Sequence, residues 1–135
     1  MKEVVAVIRM NKVNATKKVL VEVGYPGFTT FKVMGRGKLV GDEAVIEDRK
    51  AKLLAMSDPD DPEAQELVAG FLDGRRLFPR RLFTVLVHDA DVGRVVDALI
   101  GANRTEYNVG DGKIFVLPLI EAVRVRTGER GDVAL

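Results

Sequence analysis

The stretch LFTVLVHDADVGRVVDALI, residues 82–100, places a strand directly before a helix. Its first six residues form a short apolar run rich in β-propensity, which is typical of a buried strand. Asp89 or Asp91 is suited to cap the helix that follows. That helix carries apolar residues at helical spacing, namely Val92, Val95, Val96, Leu99 and Ile100. The stretch therefore predicts one strand–helix unit.

A second unit of the same kind occupies the start of the chain. Val4–Ile8 reads as a buried strand, and Asn11 is suited to cap a helix that ends at Gly24. The apolar face of this helix consists of Ala15, Val19, Leu20 and Val23. Phe28–Met34 predicts the next strand, and two further strands are predicted over KIFVLPLI (113–120) and AVRVR (122–126).

The predicted order of elements defines the fold class. A β-α-β-β-α-β order is that of the ferredoxin-like sandwich, an α+β fold with both helices on one face of the sheet. Here it carries an extra C-terminal strand and forms a single domain over residues 1–135. The strands are apolar on more than one side, and two helices cover only one face. We therefore expect the bare face to pack against another copy of the chain.

A long inserted arm, at about residues 41–79, joins two strands that a short hairpin joins in other ferredoxin-like folds. Segments of this length are usually functional or disordered. Asp61 and Pro62 form a helix start, and an apolar stripe follows at helical spacing. Its residues are Leu67, Val68, Phe71 and Leu72. The stripe either packs within the assembly or docks a partner protein, and the sequence leaves both open.

The composition excludes several classes of site. The chain has no cysteine and one histidine, so it has no disulfide, thiolate site or multi-histidine metal site. A formal net charge of +1 argues against a nucleic-acid binder. No base or nucleophile is positioned for catalysis, so we expect neither a catalytic residue nor an enzyme. The apolar run at the N-terminus is too short for a membrane span, and we expect a cytoplasmic protein.

Three basic motifs indicate an anion pocket. The first is the GDGK loop, which we define as Gly110–Lys113 and which comes just before a strand. Its glycines allow the backbone to approach a phosphate, and its lysine supplies a positive charge. Arg124 and Arg126 lie two apart, so they project from the same face of the predicted strand. Gly35–Lys38, with the sequence GRGK, is a second glycine-rich basic turn.

These pieces in this order resemble the PII family of nitrogen regulatory signal-transduction proteins. The similarity rests on GDGKIFVLPLIEAVRVRTGERGDVAL at the C-terminus and on MKEVVAVIRMNKV with GYPGFTTFKVMGRGK near the N-terminus. It covers residues 1–41 and about 78–135, and the arm corresponds to that family's T-loop. The RMNK start, the GRGK turn and the enlarged arm are most similar to the nitrogenase-associated branch.

The resemblance implies a homotrimer that binds ATP or ADP in clefts between subunits, with Mg²⁺ arriving through ATP. Residues implied to border the adenine are Val7, Thr29, Gly35 and Leu86. Residues implied to approach the phosphates are Gly37, Lys38, Gly110, Asp111, Gly112 and Lys113. Arg124 and Arg126 would reach in from the neighbouring subunit.

The chain also departs from the family's pattern at the site for the effector 2-oxoglutarate. Leu39 replaces a glutamine that ligates Mg²⁺, and Arg80 follows Pro79 where a lysine usually grips the carboxylate. The site would be formed by Gly37 and Gly41, with Arg80 or Arg81 as the carboxylate partner. The arm contains no tyrosine, since the only two are Tyr25 and Tyr107, which excludes its uridylylation.

The leading hypothesis is a regulatory protein that senses nucleotides and acts through its arm on nitrogenase component 1, together with a paralogous PII protein. A second hypothesis keeps the family but replaces the target with an ammonium transporter or another metabolic enzyme. A third, from another class, is a ferredoxin-like acyl-phosphate hydrolase that uses the arginines catalytically. The missing base and nucleophile count against the third.

Overall fold

A computed structural model of the chain describes residues 1–37, 77–106 and 110–135, together with the single positions 51 and 62. Four strands form one sheet: β1 (Lys2–Arg9), β2 (Phe28–Gly35), β3 (Phe78–Val87) and β4 (Gly112–Pro118). Within the continuous described ranges, two α-helices connect these strands: α1 (Val13–Glu22) and α2 (Val92–Asn103). Short 3₁₀ turns lead into both helices, at Met10–Lys12 and Asp89–Asp91.

The strands are ordered β2-β3-β1-β4 in the sheet. β1 pairs antiparallel with both β3 and β4, so that Val4 lies opposite Val85 on one side and Val116 on the other. Two helix connections and this strand order are those of the ferredoxin-like fold. The predicted α+β class and the β-α-β-β-α-β order are therefore confirmed.

The core lies between the sheet and the two helices. Alternate residues of the central strands are buried on this face because side chains of a strand alternate between faces. They are joined by apolar residues of both helices, and among the described residues the buried members are Val4, Ala6, Ile8, Leu20, Phe83, Val85, Val87, Val95 and Leu99. The rings of Phe28 and Phe83 pack at a centroid distance of 5.4 Å, which continues the core toward β2.

One polar pair is buried between the helices. Thr16 of α1 and Asn103 at the end of α2 are both classed as buried. Asn103 Nδ2 donates to Thr16 Oγ1 at 3.0 Å and to the Leu99 carbonyl at 2.9 Å. A buried polar group needs such partners because desolvation without a hydrogen bond is costly. The pair fixes the end of α2 against α1, and the apolar stripe predicted for α1 did not include Thr16.

The helix starts differ from the predicted caps. Asp91 occupies the N-cap position of α2, but its side chain makes no cap hydrogen bond. Its oxygens instead accept hydrogen bonds from the Tyr25 hydroxyl at 2.6 Å and from Arg94 at 2.7 Å. Asn11 lies inside the 3₁₀ turn before α1 and is not its cap. Competing partners and a preceding 3₁₀ turn account for these differences.

In the part of the chain that the structure describes, no helix covers the opposite side of the sheet, which we call the open face. By strand alternation and register it carries these apolar residues: Val5, Val7, Leu82, Leu86, Phe115 and Leu117. Phe115 is 50% exposed and Leu117 is 42% exposed. An apolar surface of this kind normally marks an interaction site.

The prediction of a C-terminal strand was wrong. AVRVR does not join the sheet, and only an isolated antiparallel bridge, Val123 to Arg130, is present there. Residues 121–131, which we call the C-terminal hairpin, turn back on themselves through Gly128, whose φ is +72°. The alternation of AVRVR thus belongs to a hairpin arm, and Val125 is 99% exposed. A 3₁₀ turn, Gly131–Ala134, follows.

The chain divides into two compact units, Met1–Val33 with Pro79–Leu135, and Met34–Phe78. The predicted arm falls mostly in the second unit. Its stripe of Leu67, Val68, Phe71 and Leu72 lies outside the described residues, so the choice between packing and docking stays open. Among the residues that the structure describes, no helix has the length and apolar character to cross a membrane.

Candidate functional site

The GDGK loop leads into β4 at one end of the sheet. Gly110 and Gly112 have φ of +81° and +123°, which side-chain-bearing residues rarely adopt. A Cβ at Gly112 would lie 2.2 Å from the carbonyl oxygen of Val7. Gly112 is therefore required by the close approach of β1, a reason that the sequence analysis did not give. The same contact fixes the position of the loop relative to β1.

Arg9, the last residue of β1, holds this loop in place. Its Nε donates to the Gly110 carbonyl oxygen at 3.0 Å, and its Nη2 lies 3.3 Å from Asp111 Oδ1. Both side chains are largely buried, at 22% and 19% exposure, so this ion pair is screened less than a surface pair. The loop is thus tied to the sheet by one charged side chain.

Asp111 organises the loop from within. The backbone N–H of Thr105 donates to Asp111 Oδ2 at 2.8 Å, and the Thr105 hydroxyl donates to Oδ1. The Thr105 hydroxyl bond, aided by the Thr105 N–H and by the charges of Arg9 and Lys12, holds the pKa of Asp111 below its ordinary value. Both carboxylate oxygens are engaged by the protein. Asp111 was predicted to approach the phosphates, but in the structure its carboxylate stabilises the loop itself.

Arg80 lies beside the loop on the neighbouring strand, directly opposite Arg9 in the register of β1 and β3. A Cβ at Gly110 would lie 3.3 Å from Arg80 Nη2 and 3.6 Å from Arg9 Nη2. Burial and then the charge of Arg9 lower the pKa of Arg80. Two like charges at facing positions repel each other. An anion bound between them would relieve that repulsion.

Arg81 points the other way. It lies opposite the buried Ile8, whereas Arg80 shares the open face with Arg9. The Arg81 Nε is buried, and no residue that the structure describes gives it a hydrogen-bond partner. Of the two arginines predicted as carboxylate partners, only Arg80 stands beside the GDGK loop. Lys113, opposite Val7 in β4, is exposed on the open face.

The residues predicted to border adenine are spread along the sheet. Val7 pairs with Leu82, whereas Leu86 pairs with Glu3, four positions away. At about 3.3 Å per residue this separates Val7 from Leu86 by about 13 Å. Thr29 is exposed on β2. One adenine ring cannot contact both Val7 and Leu86 of the same subunit.

The GRGK turn is only partly described. Gly35 ends β2, and open space surrounds the Cβ positions of Gly35 and Gly37. Lys38, Leu39 and Gly41 lie outside the described residues. Their predicted contacts with phosphate and with 2-oxoglutarate therefore stay predictions.

Arg124 and Arg126 do not project from one strand face as predicted. Arg124 donates to Glu129, to the carbonyl oxygen of Val133 at 2.9 Å and to the main-chain oxygen of Leu135 at 3.1 Å. Arg126 lies in the turn at residues 125–127 and is exposed. The hairpin that replaces the predicted strand separates the two side chains, because strand alternation does not apply in a turn.

Two site residues, Arg9 and Thr105, were missed by the sequence analysis. Arg9 is a charged residue directly after the apolar run Val4–Ile8. That position places it at the end of a central strand and was the available signal. Thr105 gave no signal, since its role depends on the two hydrogen bonds that it donates to Asp111, six residues further along the chain. Together, Arg9, Arg80 and Lys113 make the site suited to hold an anion.

Comparison with known proteins gives the context of this site. The family model of nitrogen regulatory protein P-II matches residues 1–129. Nitrogen fixation nifHD region GlnB-like protein 2 of Methanothermobacter marburgensis is 41% identical over 135 residues, covering 100% of both chains. Nitrogen fixation nifHD1 region GlnB-like protein 2 of Methanosarcina barkeri is 39% identical over 136 residues, covering 100% of this chain and 99% of the relative. The anion-suited loop thus lies within a matched region that spans nearly the whole sequence, and the chain belongs to the P-II family of nitrogen regulatory proteins, which are signalling regulators that act on partner proteins.

Proposed function

We propose that this chain is a nitrogen regulatory protein that binds ATP or ADP at the GDGK loop and controls nitrogenase component 1. The observation that carries the nucleotide proposal is the convergence of two guanidinium groups on Gly110. Charged hydrogen bonds from arginine suit phosphate oxygens, and they are strongest where water is partly excluded. Lys113 extends the same positive surface along β4. Mg²⁺ would be carried by ATP itself.

The nucleotide site would lie between subunits of a homotrimer. The apolar open face supports an assembly, because a surface of this kind is stabilised when another subunit covers it. The separation of Val7 from Leu86 supports a shared cleft, in which one subunit offers Val7 and its neighbour offers Leu86. Arg126 would then reach the phosphates from the neighbouring subunit, as the family resemblance implies.

A dicarboxylate such as 2-oxoglutarate would bind beside the nucleotide phosphates. Arg80 is placed for this role, since its guanidinium stands at the GDGK loop opposite Arg9. Arg81 is directed to the other face of the sheet, which favours Arg80 as the carboxylate partner. Because the Leu39 side chain has no atom that binds a metal, the binding energy for the dicarboxylate would come from Arg9 and Arg80.

The partner proposal rests on the relatives. Several carry names that place them in nitrogen fixation nifHD regions. We therefore infer that this chain acts on nitrogenase component 1, together with a paralogous P-II protein. The arm at about residues 41–79 would make the contact. Its first residues follow the GRGK turn, so nucleotide occupancy could bias the arm through differential affinity for two arm states.

Calorimetry with ATP and ADP tests the nucleotide proposal. Lys113→Ala should weaken binding of both by about tenfold or more, the loss expected for one charged hydrogen bond. Lys18→Ala is the matched control, because Lys18 is an exposed lysine of α1 that pairs with Glu22. Equal affinity in the wild type and in the Lys113 variant would place the nucleotide elsewhere. No binding by the wild type would contradict the proposal outright.

A pull-down with purified nitrogenase component 1 tests the partner proposal. Capture should depend on whether ATP, ADP or 2-oxoglutarate is present, and Phe71→Asp should abolish it while leaving nucleotide affinity unchanged. Capture that ignores every effector would show that the chain does not report ligand state. Loss of assembly in the Phe71 variant would show that the arm's stripe is structural.

A further inference from the structure

Thr105 holds the carboxylate of Asp111 with two hydrogen-bond donors. Its backbone N–H donates to Oδ2 at 2.8 Å, and its hydroxyl donates to Oδ1. Both residues are half-buried, so water competes less for these bonds than it would at an exposed site. We call this pair of bonds from one residue to both oxygens of Asp111 the Thr105 clamp.

The end of α2 anchors the clamp to the core. Asn103 Nδ2 donates to the Leu99 carbonyl at 2.9 Å, and the Arg104 N–H donates to the Ile100 carbonyl at 2.9 Å. These bonds satisfy carbonyl groups that the end of a helix otherwise leaves unpaired. Leu99 is itself part of the buried core. Thr105 therefore directly follows a helix end that is fixed in place.

The end of β1 holds the loop from the other side. Arg9 Nη2 lies 3.3 Å from Asp111 Oδ1, and Arg9 Nε donates to the Gly110 carbonyl oxygen at 3.0 Å. Asp111 is thus held between the end of a helix, through Thr105, and the end of a central strand, through Arg9. Neither contact comes from the GDGK loop itself.

The two glycines beside Asp111 make this support important. Gly110 and Gly112 have φ of +81° and +123°, and glycine loses more conformational freedom on ordering than any other residue. A ligand that has to order a loop binds more weakly, because the lost backbone entropy opposes binding. A loop that the clamp already orders spares the ligand this loss.

The clamp also keeps the negative charge of Asp111 engaged by the protein. A carboxylate repels a phosphate at short range, and the repulsion is stronger where water is partly excluded. Both oxygens of Asp111 accept hydrogen bonds from Thr105, and the charge of Arg9 lies beside them. The loop can therefore contain an acidic residue and still suit an anion.

We propose that Thr105 is a positioning residue for nucleotide binding: through Asp111 it holds the GDGK loop in the conformation that receives the phosphates. The effect of Thr105 on affinity rests on the proposed nucleotide binding. Its role in ordering the loop does not depend on that proposal.

Calorimetry with ATP on two Thr105 variants tests the effect on affinity. Thr105→Val preserves the shape of the side chain but removes the hydroxyl. It should weaken ATP binding by about fivefold or more, as expected when ligand binding has to order the backbone of at least one residue. Thr105→Ser keeps the hydroxyl and should bind within about twofold of the wild type. Equal affinity in the wild type and in the Val variant would overturn the inference.

The same change in an Asp111→Ala background shows whether Thr105 acts through Asp111. Thr105→Val should then alter ATP affinity by less than about twofold, since residues that act in series are not additive. Additive losses would show that Thr105 acts on the nucleotide independently of Asp111, and would overturn the inference.

Thr16→Val is the matched control for a loss of stability. Thr16 is a buried threonine whose hydroxyl accepts a hydrogen bond from Asn103, and the bond from Asn103 to the Leu99 carbonyl does not involve it. This variant should be less stable, yet it should bind ATP within about twofold of the wild type. A loss of affinity as large as that of Thr105→Val would mean that affinity follows stability, and this too would overturn the inference.

NMR order parameters without nucleotide test the ordering of the loop separately. The amides of Gly110, Asp111 and Gly112 should have values near those of rigid backbone, about 0.85, in the wild type and in the Ser variant, and lower values in the Val variant. Unchanged order parameters in the Val variant would overturn the inference, whatever its affinity. A wild-type protein that binds no nucleotide would refute the proposed function and the effect of Thr105 on affinity, while the order parameters would still decide whether Thr105 orders the loop.

Discussion

The two faces of the sheet are built from the same strands by the same alternation, and they meet different surroundings. On the helix face Val4, Ala6 and Ile8 are buried under α1 and α2. On the open face the intervening residues of β1, together with Phe115 and Leu117 of β4, remain partly exposed. The helix face is thus buried within one chain, whereas the open face stays partly exposed.

The difference between the faces also separates two kinds of residue. The helix face contains the core, and the polar pair buried there among the described residues, Thr16 with Asn103, is satisfied by internal hydrogen bonds. The open face ends in the charged residues Arg9, Arg80 and Lys113 around the GDGK loop. Partly exposed apolar surface and positive charge that suits an anion therefore lie on the same face of the sheet. This is the arrangement expected where a ligand binds between subunits.

The largest effect should come from truncating the core. Phe83→Ala removes a fully buried ring and should lower the free energy of unfolding by about 3–5 kcal/mol. Phe115→Ala on the open face is the matched change. Its effect should appear at protein concentrations where subunits associate and should fade on dilution, because it acts through assembly. Denaturant unfolding at several protein concentrations measures both. An equal, concentration-independent cost would make the open face part of the single-chain core.

The next largest effect concerns Gly112, where β4 begins beside β1. Gly112→Ala would place a Cβ 2.2 Å from the Val7 carbonyl at a φ of +123°, and should cost about 2 kcal/mol or more. Gly128→Ala is its control, with a φ of +72° and no heavy atom within 4 Å of the added Cβ. Backbone strain alone should cost about 1 kcal/mol there. Thermal unfolding that ranks the control as worse would contradict the close contact between the loop and β1.

A smaller effect is expected at the polar pair under the helix face. Thr16→Val leaves Asn103 short of one buried partner and should cost about 1–2 kcal/mol. The double variant with Asn103→Leu should recover part of that loss, since no unpaired polar group then remains at the pair. Urea unfolding of the single and double variants provides the measurement. A double variant less stable than the sum of the single changes would mean that shape, rather than hydrogen bonding, explains the pair.

The smallest effect should appear at the GDGK loop as pH falls. The folded protein holds the pKa of Asp111 below its ordinary value of 3.8, chiefly through the Thr105 hydroxyl bond. The carboxylate therefore contributes stability that is present above pH 3.8 and lost as pH falls through the folded value. Asp111→Asn should remove this part of the acid dependence, which begins as pH falls toward 3.8 and continues below it. Identical pH profiles would show that the Thr105 and Arg9 contacts do not persist in solution.

The sequence predicted what depends on local periodicity. The strand–helix order and the core residues Val95 and Leu99 follow from residue spacing, and the structure confirms them. Thr16 was missed because its partner, Asn103, is 87 residues away in sequence. AVRVR was predicted as a strand because it alternates, but a strand also needs a neighbouring strand in the sheet. Among the described residues, the segment pairs only within its own hairpin.

The candidate site was predicted only in part, because the sequence shows local motifs but not how the strands pair. The GDGK loop was visible as a motif, and the family resemblance indicated Arg80, which stands where a lysine is usual. The convergence of Arg9 and Arg80 on Gly110 follows from the register between β1 and β3, which no local pattern encodes. The different placement of the Arg124 and Arg126 side chains likewise depends on the turn at residues 125–127.

Native mass spectrometry of the full chain with increasing ATP tests the central claim most directly. If copies of the chain cover the open face and hold nucleotide between them, the protein should be a trimer that takes up one ATP per subunit. Phe115→Asp, which places a charge on the open face, should lose the trimer and ATP binding together while the subunit stays folded. A monomeric wild type, or a Phe115→Asp monomer that binds ATP as tightly as the wild type, would contradict the claim.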